Sequence, residues 1–213
     1  MFKNLLIAML ATALFVTTSA FQTADTPRQT MADGPLSATE RQYAVDLLQK
    51  TRTDFLTSVK GLSPTQMTWK ADSSRWSIAQ CIEHITLAEI GIFQIQQGSM
   101  KAPADAAKRA EVKLTDAQVV QFLTNRTGKA QAPDVIKPTG RFPSPDAALQ
   151  AYAQQRDKTI AYIQTTPDDL RLHYWKHFIG VVDAYQTILL LAAHNERHRL
   201  QIEEVKANAG FPK

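Results

Sequence analysis

Cysteine is almost absent. Cys81 is the only one in 213 residues, so the chain forms no internal disulfide and its stability has to come from packing. Basic residues are scattered, no run of Lys or Arg alternates with aromatics, and the formal charge is only +4. Those absences argue against a nucleic-acid partner, which would want a basic stripe or stacking platforms. No apolar alternation marks a strand and no repeat period appears. The apolar run at the N-terminus is shorter than the roughly 20 residues a membrane span needs.

That run does fit an export signal. Lys3 gives a short positive start, residues 5–17 are almost wholly apolar, and Thr18-Ser19-Ala20 supplies the small residues a signal peptidase reads. Residues 1–20 therefore predict a secretory signal cut after Ala20. The mature chain would be periplasmic or extracellular, with no stable membrane insertion, and the lack of a cysteine after the run excludes bacterial lipidation. Lys3 is the one charged residue removed, so the mature charge falls from +4 to +3. Residues 21–35 are polar, with Pro and Gly and no period, and predict a flexible linker. Residues 36–213 are of a size for one domain.

Helix signals recur through that domain. Ser37 with Glu40 has the capping-box form, and Tyr43, Leu47, Leu48, Phe55, Leu56 and Val59 then follow helical spacing up to Gly61. Ser63-Pro64-Thr65-Gln66 opens a short turn of helix. Ser77 with Gln80 caps a second long helix that runs to about Gln97. Residues 98–143 are less regular, with a helical piece opened by Thr115 and Gln118. Four prolines between Pro133 and Pro145 predict an extended strap. Ser144-Pro145 starts a third long helix ending near Thr165, and a loop with His173, Trp175, His177 and Gly180 follows. Asp183 with Gln186 caps the fourth, which stops before Gly210 and Pro212. The predicted fold is all-α, an antiparallel four-helix bundle with a long connection between its second and third helices.

Histidine placement carries the chemistry. His194 and His198 lie four residues apart, about 400° of helix, so both imidazoles leave one face. The same face holds Thr187, Leu191, Gln201, Ile202 and Val205, which points the pair inward, where polar groups need partners. His84 lies in a second apolar helix. Together the three form a candidate metal site between two helices, and three neutral nitrogens suit zinc, nickel, iron or copper. A position left to water would make the site catalytic. The competing reading is a set of core histidines satisfied by backbone carbonyls. HNERH is not the HExxH of zinc proteases, because the acid stands third and Glu196 turns roughly 200° away from His194.

The neighbours are less telling. Cys81, one turn before His84, reads as a small buried residue or, less simply, as a thiolate ligand that would close a tetrahedral site. Glu83 and Glu89 are close in sequence but offset around their helix, so no clear general base appears. Gln201 is the best-placed orienting group. His173 and His177 either line a cavity mouth or hold their loop by hydrogen bonds, and the structural role is favoured. Asn125-Arg126-Thr127 matches a glycosylation sequon, a pattern common by chance.

Trp76-Ser77-Ile78 leading to Glu83-His84, then His177-Phe178-Ile179-Gly180, and finally His194, His198 and Gln201-Ile202 resemble the DinB-like superfamily of four-helix bundles. The resemblance covers roughly residues 36–213. It implies a divalent metal held by His84, His194 and His198, and it suggests a homodimer. Relatives include thiol-dependent transferases, isomerases of the maleylpyruvate type and many members without assigned activity. Because such thiols are cytosolic, export disfavours a thiol transferase. The expectation is a metal-dependent hydrolase or transferase acting on a small molecule, with zinc or nickel ahead of iron. The alternative is a bundle that binds metal or ligand without catalysis.

Overall fold

The computed structural model describes residues 35–128 and 131–213. The expected signal and nearly all of the expected linker lie outside the described residues. Helices begin where a side-chain oxygen takes up one of the first free backbone N–H groups. Capping boxes at Ser37/Glu40, Ser63/Gln66, Ser77/Gln80 and Thr115/Gln118 open α1 (Ala38–Val59), α2 (Pro64–Thr68), α3 (Ile78–Ser99) and α4 (Asp116–Thr124). Ser144 caps α5 (Pro145–Thr165) and Asp183 caps α6 (Ala184–Lys206). All six starts were legible as sequence. Among the described residues no helix is long and apolar enough to cross a membrane.

The bundle consists of α1, α3, α5 and α6, as expected, but its internal order was not legible. α1 and α3 each pack against both α5 and α6, so α1 faces α3, and α5 faces α6, across a diagonal. Neighbours α1 and α6 run parallel: the Tyr185 hydroxyl donates to the Glu40 carbonyl near both starts, and Lys206 Nζ donates to the Ser58 carbonyl near both ends. α3 and α5 are also parallel, joined level by level through Thr86 to the Ala148 carbonyl, Glu89 to Arg156, and Gln96 to Tyr162. The α1/α5 and α3/α6 pairs are antiparallel, with Arg41 near Thr166 in the first and His84 near His198 in the second. This arrangement explains the long connection. A chain leaving α3 must travel back the whole bundle length, about 30 Å for a helix of 20 residues, before it can start a parallel neighbour.

The returning segment is fastened on the α3/α6 side. α4 packs on α6, and the Arg197 guanidinium donates to the carbonyls of Leu123, Asn125 and Gly128. Arg126 forms a paired ion contact with Glu204. A single turn of 3-10 helix, Asp134–Ile136, then packs against α3. The carboxylate of Glu83 receives the N–H groups of Thr139, Gly140 and Arg141 at 3.0, 3.0 and 2.9 Å, and Gly140 supplies the positive φ of 80° that this turn requires.

One expectation fails here. The segment read as a loop contains an antiparallel hairpin, β1 (Tyr174–His177) and β2 (Gly180–Asp183), in the register Tyr174↔Asp183 to His177↔Gly180. Four residues per strand are too few for a period of two to stand out from a helical background. A parallel bridge from Val112 to Val181 ties the hairpin to the returning segment.

Candidate metal centre

His84 is fixed in the second turn of α3, and α6 presents His194 and His198 one turn apart. The Nε2 atom of His84 lies 3.3 Å from His194 Nε2 and 3.1 Å from His198 Nε2. One ligand atom from each of the three comes within 4.8 Å of the others. His84 is buried, while His194 and His198 keep partial exposure. The indole of Trp76 covers one flank, its ring centroid 4.7 Å from His84 and 6.0 Å, near-parallel, from His198.

The outer nitrogens decide what such a cluster can hold. His84 Nδ1 is 2.7 Å from the Ile136 carbonyl, which only accepts, so Nδ1 carries the proton and Nε2 its lone pair. His198 Nδ1 likewise donates to Gln201 Oε1 at 2.8 Å. Two lone pairs therefore point at one another across 3.1 Å. A shared proton or a cation between them would relieve that contact. Protonation is disfavoured: burial depresses the His84 pKa to about 4, and burial followed by the neighbouring imidazoles holds those of His194 and His198 well below the ordinary range. Neutral imidazoles with converging Nε2 atoms, two of them with occupied outer nitrogens, are the donor set of a divalent metal.

The same depression makes the metal-free fold acid-sensitive. His84 titrates near 6.5 when unfolded and near 4 when folded, so its contribution is intact above pH 6.5 and declines as pH falls toward 4. Metal-free protein should show a urea midpoint that drops across this window. A midpoint flat from pH 7 to pH 4.5 would refute the buried neutral state.

The other expected residues divide. Gln201 is spent on His198, so it orients a candidate ligand and not a substrate. Replacing it with Ala should weaken metal affinity by about 10- to 100-fold while leaving one metal per chain at saturation, as read by competition with a chromophoric chelator. Cys81 is 0% exposed, burial pushes its thiol up to about 12, and it lies in the core cluster of Phe55 and Tyr152, so it is no thiolate ligand. Neither acidic residue of α3 serves as a base: Glu83 clamps the returning segment, and Glu89 is held by Arg156. Glu196 is partly buried and pairs with Arg199. His173 and His177 do not join the triad. His173 directly precedes β1 and His177 ends it, and among the described residues neither Nδ1 has a hydrogen-bond partner. Asn125 is exposed, and its side chain caps a tight turn by accepting from Thr127.

Sequence reasoning gave no role to Trp76, to the Ile136 carbonyl or to Arg197. The first had a local signal, an aromatic residue directly before the N-cap of a histidine-bearing helix. The other two depend on where the returning segment lies, which no local pattern encodes.

The search of curated proteins finds no match. Among solved structures, the chain is similar to YfiT from Bacillus subtilis, described as a probable metal-dependent hydrolase with an unusual four-helix bundle topology. The TM-score is 0.55 at 12% identity, covering 85% of this chain and 94% of that one. At that identity the likeness bears on the fold alone. The family model of the DinB superfamily matches residues 47–202, which contain all three histidines, and the chain accordingly belongs to the DinB superfamily.

Proposed function

We propose that the mature protein is an exported hydrolase that depends on a divalent metal, zinc or nickel ahead of iron, and acts on a small molecule. His84, His194 and His198 would hold the ion. The observation that carries this reading is the convergence of three neutral Nε2 atoms whose outer nitrogens, in His84 and His198, are already committed. The description of YfiT as a probable metal-dependent hydrolase supports the class. A divalent ion with an open position polarises a carbonyl and lowers the pKa of a water toward about 7.

The chain's own residues prepare that chemistry. The Ile136 carbonyl and the Gln201 amide fix two ring orientations, burial keeps the imidazoles unprotonated at neutral pH, and Trp76 shields one flank from water. Export sets aside the thiol transferases of the family, whose cosubstrate stays in the cytosol. One observation favours a second reading, metal binding without catalysis: Glu83, Glu89 and Glu196 are all engaged elsewhere, so none of these carboxylates is free to take a proton.

Elemental analysis by plasma mass spectrometry, on untagged protein from its native compartment, tests the proposal. Near-stoichiometric metal in the native chain and none in the His84→Ala, His194→Ala and His198→Ala variants is the expected result. A metal-free protein that resists reconstitution would end it. Turnover of an ester and amide panel by the loaded chain then separates hydrolysis from binding alone.

A further inference from the structure

The β-hairpin carries a row of rings beside the two helices that hold the triad. Trp175 and His177 have centroids 4.7 Å apart, His177 and Phe178 4.2 Å, and Phe178 and Phe122 of α4 6.0 Å. The inner end is anchored, because Trp175 packs against the main core and β1 contacts both α3 and α6, the helices that carry the triad. The outer end reaches solvent: Phe122 is 51% and Phe178 73% exposed. Two phenyls from different elements, left in water and touching, have no core role to explain them. Gly180, opposite His177 with a φ of 124°, allows the tight turn that carries Phe178 outward.

We propose that this row is the substrate-binding wall of the metal centre, with Phe122 and Phe178 receiving the planar apolar part of a small aryl-bearing molecule and His177 meeting its polar head. The inference rests on the metal-dependent reading above. His177 is suited to the role because its ring, flanked by Trp175 and Phe178, is only half-buried; its Nδ1 is enclosed without a hydrogen-bond partner among the described residues, which leaves the other edge of the ring to meet the head. A small molecule is the fitting occupant. Two exposed phenyls form a patch far below the roughly 800 Å² per partner that a stable protein interface buries. A single aromatic ring can stack on or meet the edge of both.

Two zinc-binding probes with one chelating head, acetohydroxamate and benzohydroxamate, isolate this wall. Calorimetric titration of the zinc-loaded full-length protein should show the benzo compound binding at least about tenfold tighter, after correction for the two affinities toward free zinc. Phe122→Ser with Phe178→Ser should bring that ratio below about two, with zinc content and helical circular dichroism unchanged. His177→Phe should weaken both probes by about tenfold and leave the ratio intact. A native ratio near one in a chain that holds one zinc, or a ratio that survives loss of both phenyls, overturns the wall while sparing the metal site. A chain that binds no zinc overturns the metal reading and the wall with it.

Discussion

Replacing Arg156 with Met should lower the free energy of unfolding by about 3–5 kcal/mol, read from the urea midpoint. Arg156 and Glu89 are 0% and 1% exposed at the centre of the bundle, joined by two parallel contacts of 2.6 and 2.8 Å. The same guanidinium donates to the Leu48 carbonyl and to Thr51 Oγ1, so one side chain of α5 links α1 and α3, which do not sit side by side. Taking away the cation strands a carboxylate in an apolar core, and most of the loss comes from that stranded charge. Burial is the leading influence on Glu89 and already acts to raise its pKa. In the variant it acts alone, so the folded pKa rises further above the unfolded value and the loss should shrink as pH falls and the carboxyl takes up a proton. A double variant, Arg156→Met with Glu89→Leu, should recover most of the stability, because matched apolar groups often replace a buried ion pair at little loss. A single-variant loss under about 1 kcal/mol would show that water reaches the pair.

The second large effect is expected from the metal. Zinc at about a thousand times its dissociation constant should stabilise the native chain by about 4 kcal/mol, because the converging nitrogens exist only in the fold. For a domain of this size that corresponds to a rise in Tm of about 8–16 °C. The gain should vanish in His198→Ala, which removes one of the two opposed lone pairs. His84→Ala should abolish it too and also release the Ile136 carbonyl, leaving Glu83 as the main tie between α3 and the returning segment. Trp76 offers an independent readout. Its indole stacks on His198, so nickel should quench its fluorescence in the native chain and not in the triad variants. An equal rise in Tm for native and variant chains would mean that zinc binds elsewhere.

A second buried hub, Arg171, shows how far local signals reach. Its guanidinium meets Glu40 of α1, Asp116 of α4 and Asp183 at the start of α6, and it stacks on Tyr185 at 4.1 Å. Two of those carboxylates were legible as caps: Glu40 closes the Ser37 capping box and Asp183 opens α6. That they converge on one arginine from an irregular segment was not. A charge pattern along the chain does not say which charges meet when partners lie 131 residues apart, as Glu40 and Arg171 do.

Local chemistry determined a great deal. Helix starts are set by side chains that satisfy N–H groups three residues ahead, so Ser37, Ser63, Ser77, Thr115, Ser144 and Asp183 mark them without any knowledge of the fold. Spacing of four residues placed His194 and His198 on one face, and an apolar stripe turned that face inward. Only the tertiary structure decided the rest. The diagonal order of the helices, the parallel α3/α5 pair and the course of the returning segment depend on contacts between distant residues. They bring the Ile136 carbonyl to His84, Trp76 over two imidazoles, and β1 against the helices that carry the triad. The hairpin itself is too short to leave a period of its own, and the partners that engage the acids of α3, the backbone at 139–141 and Arg156, come from elsewhere in the chain.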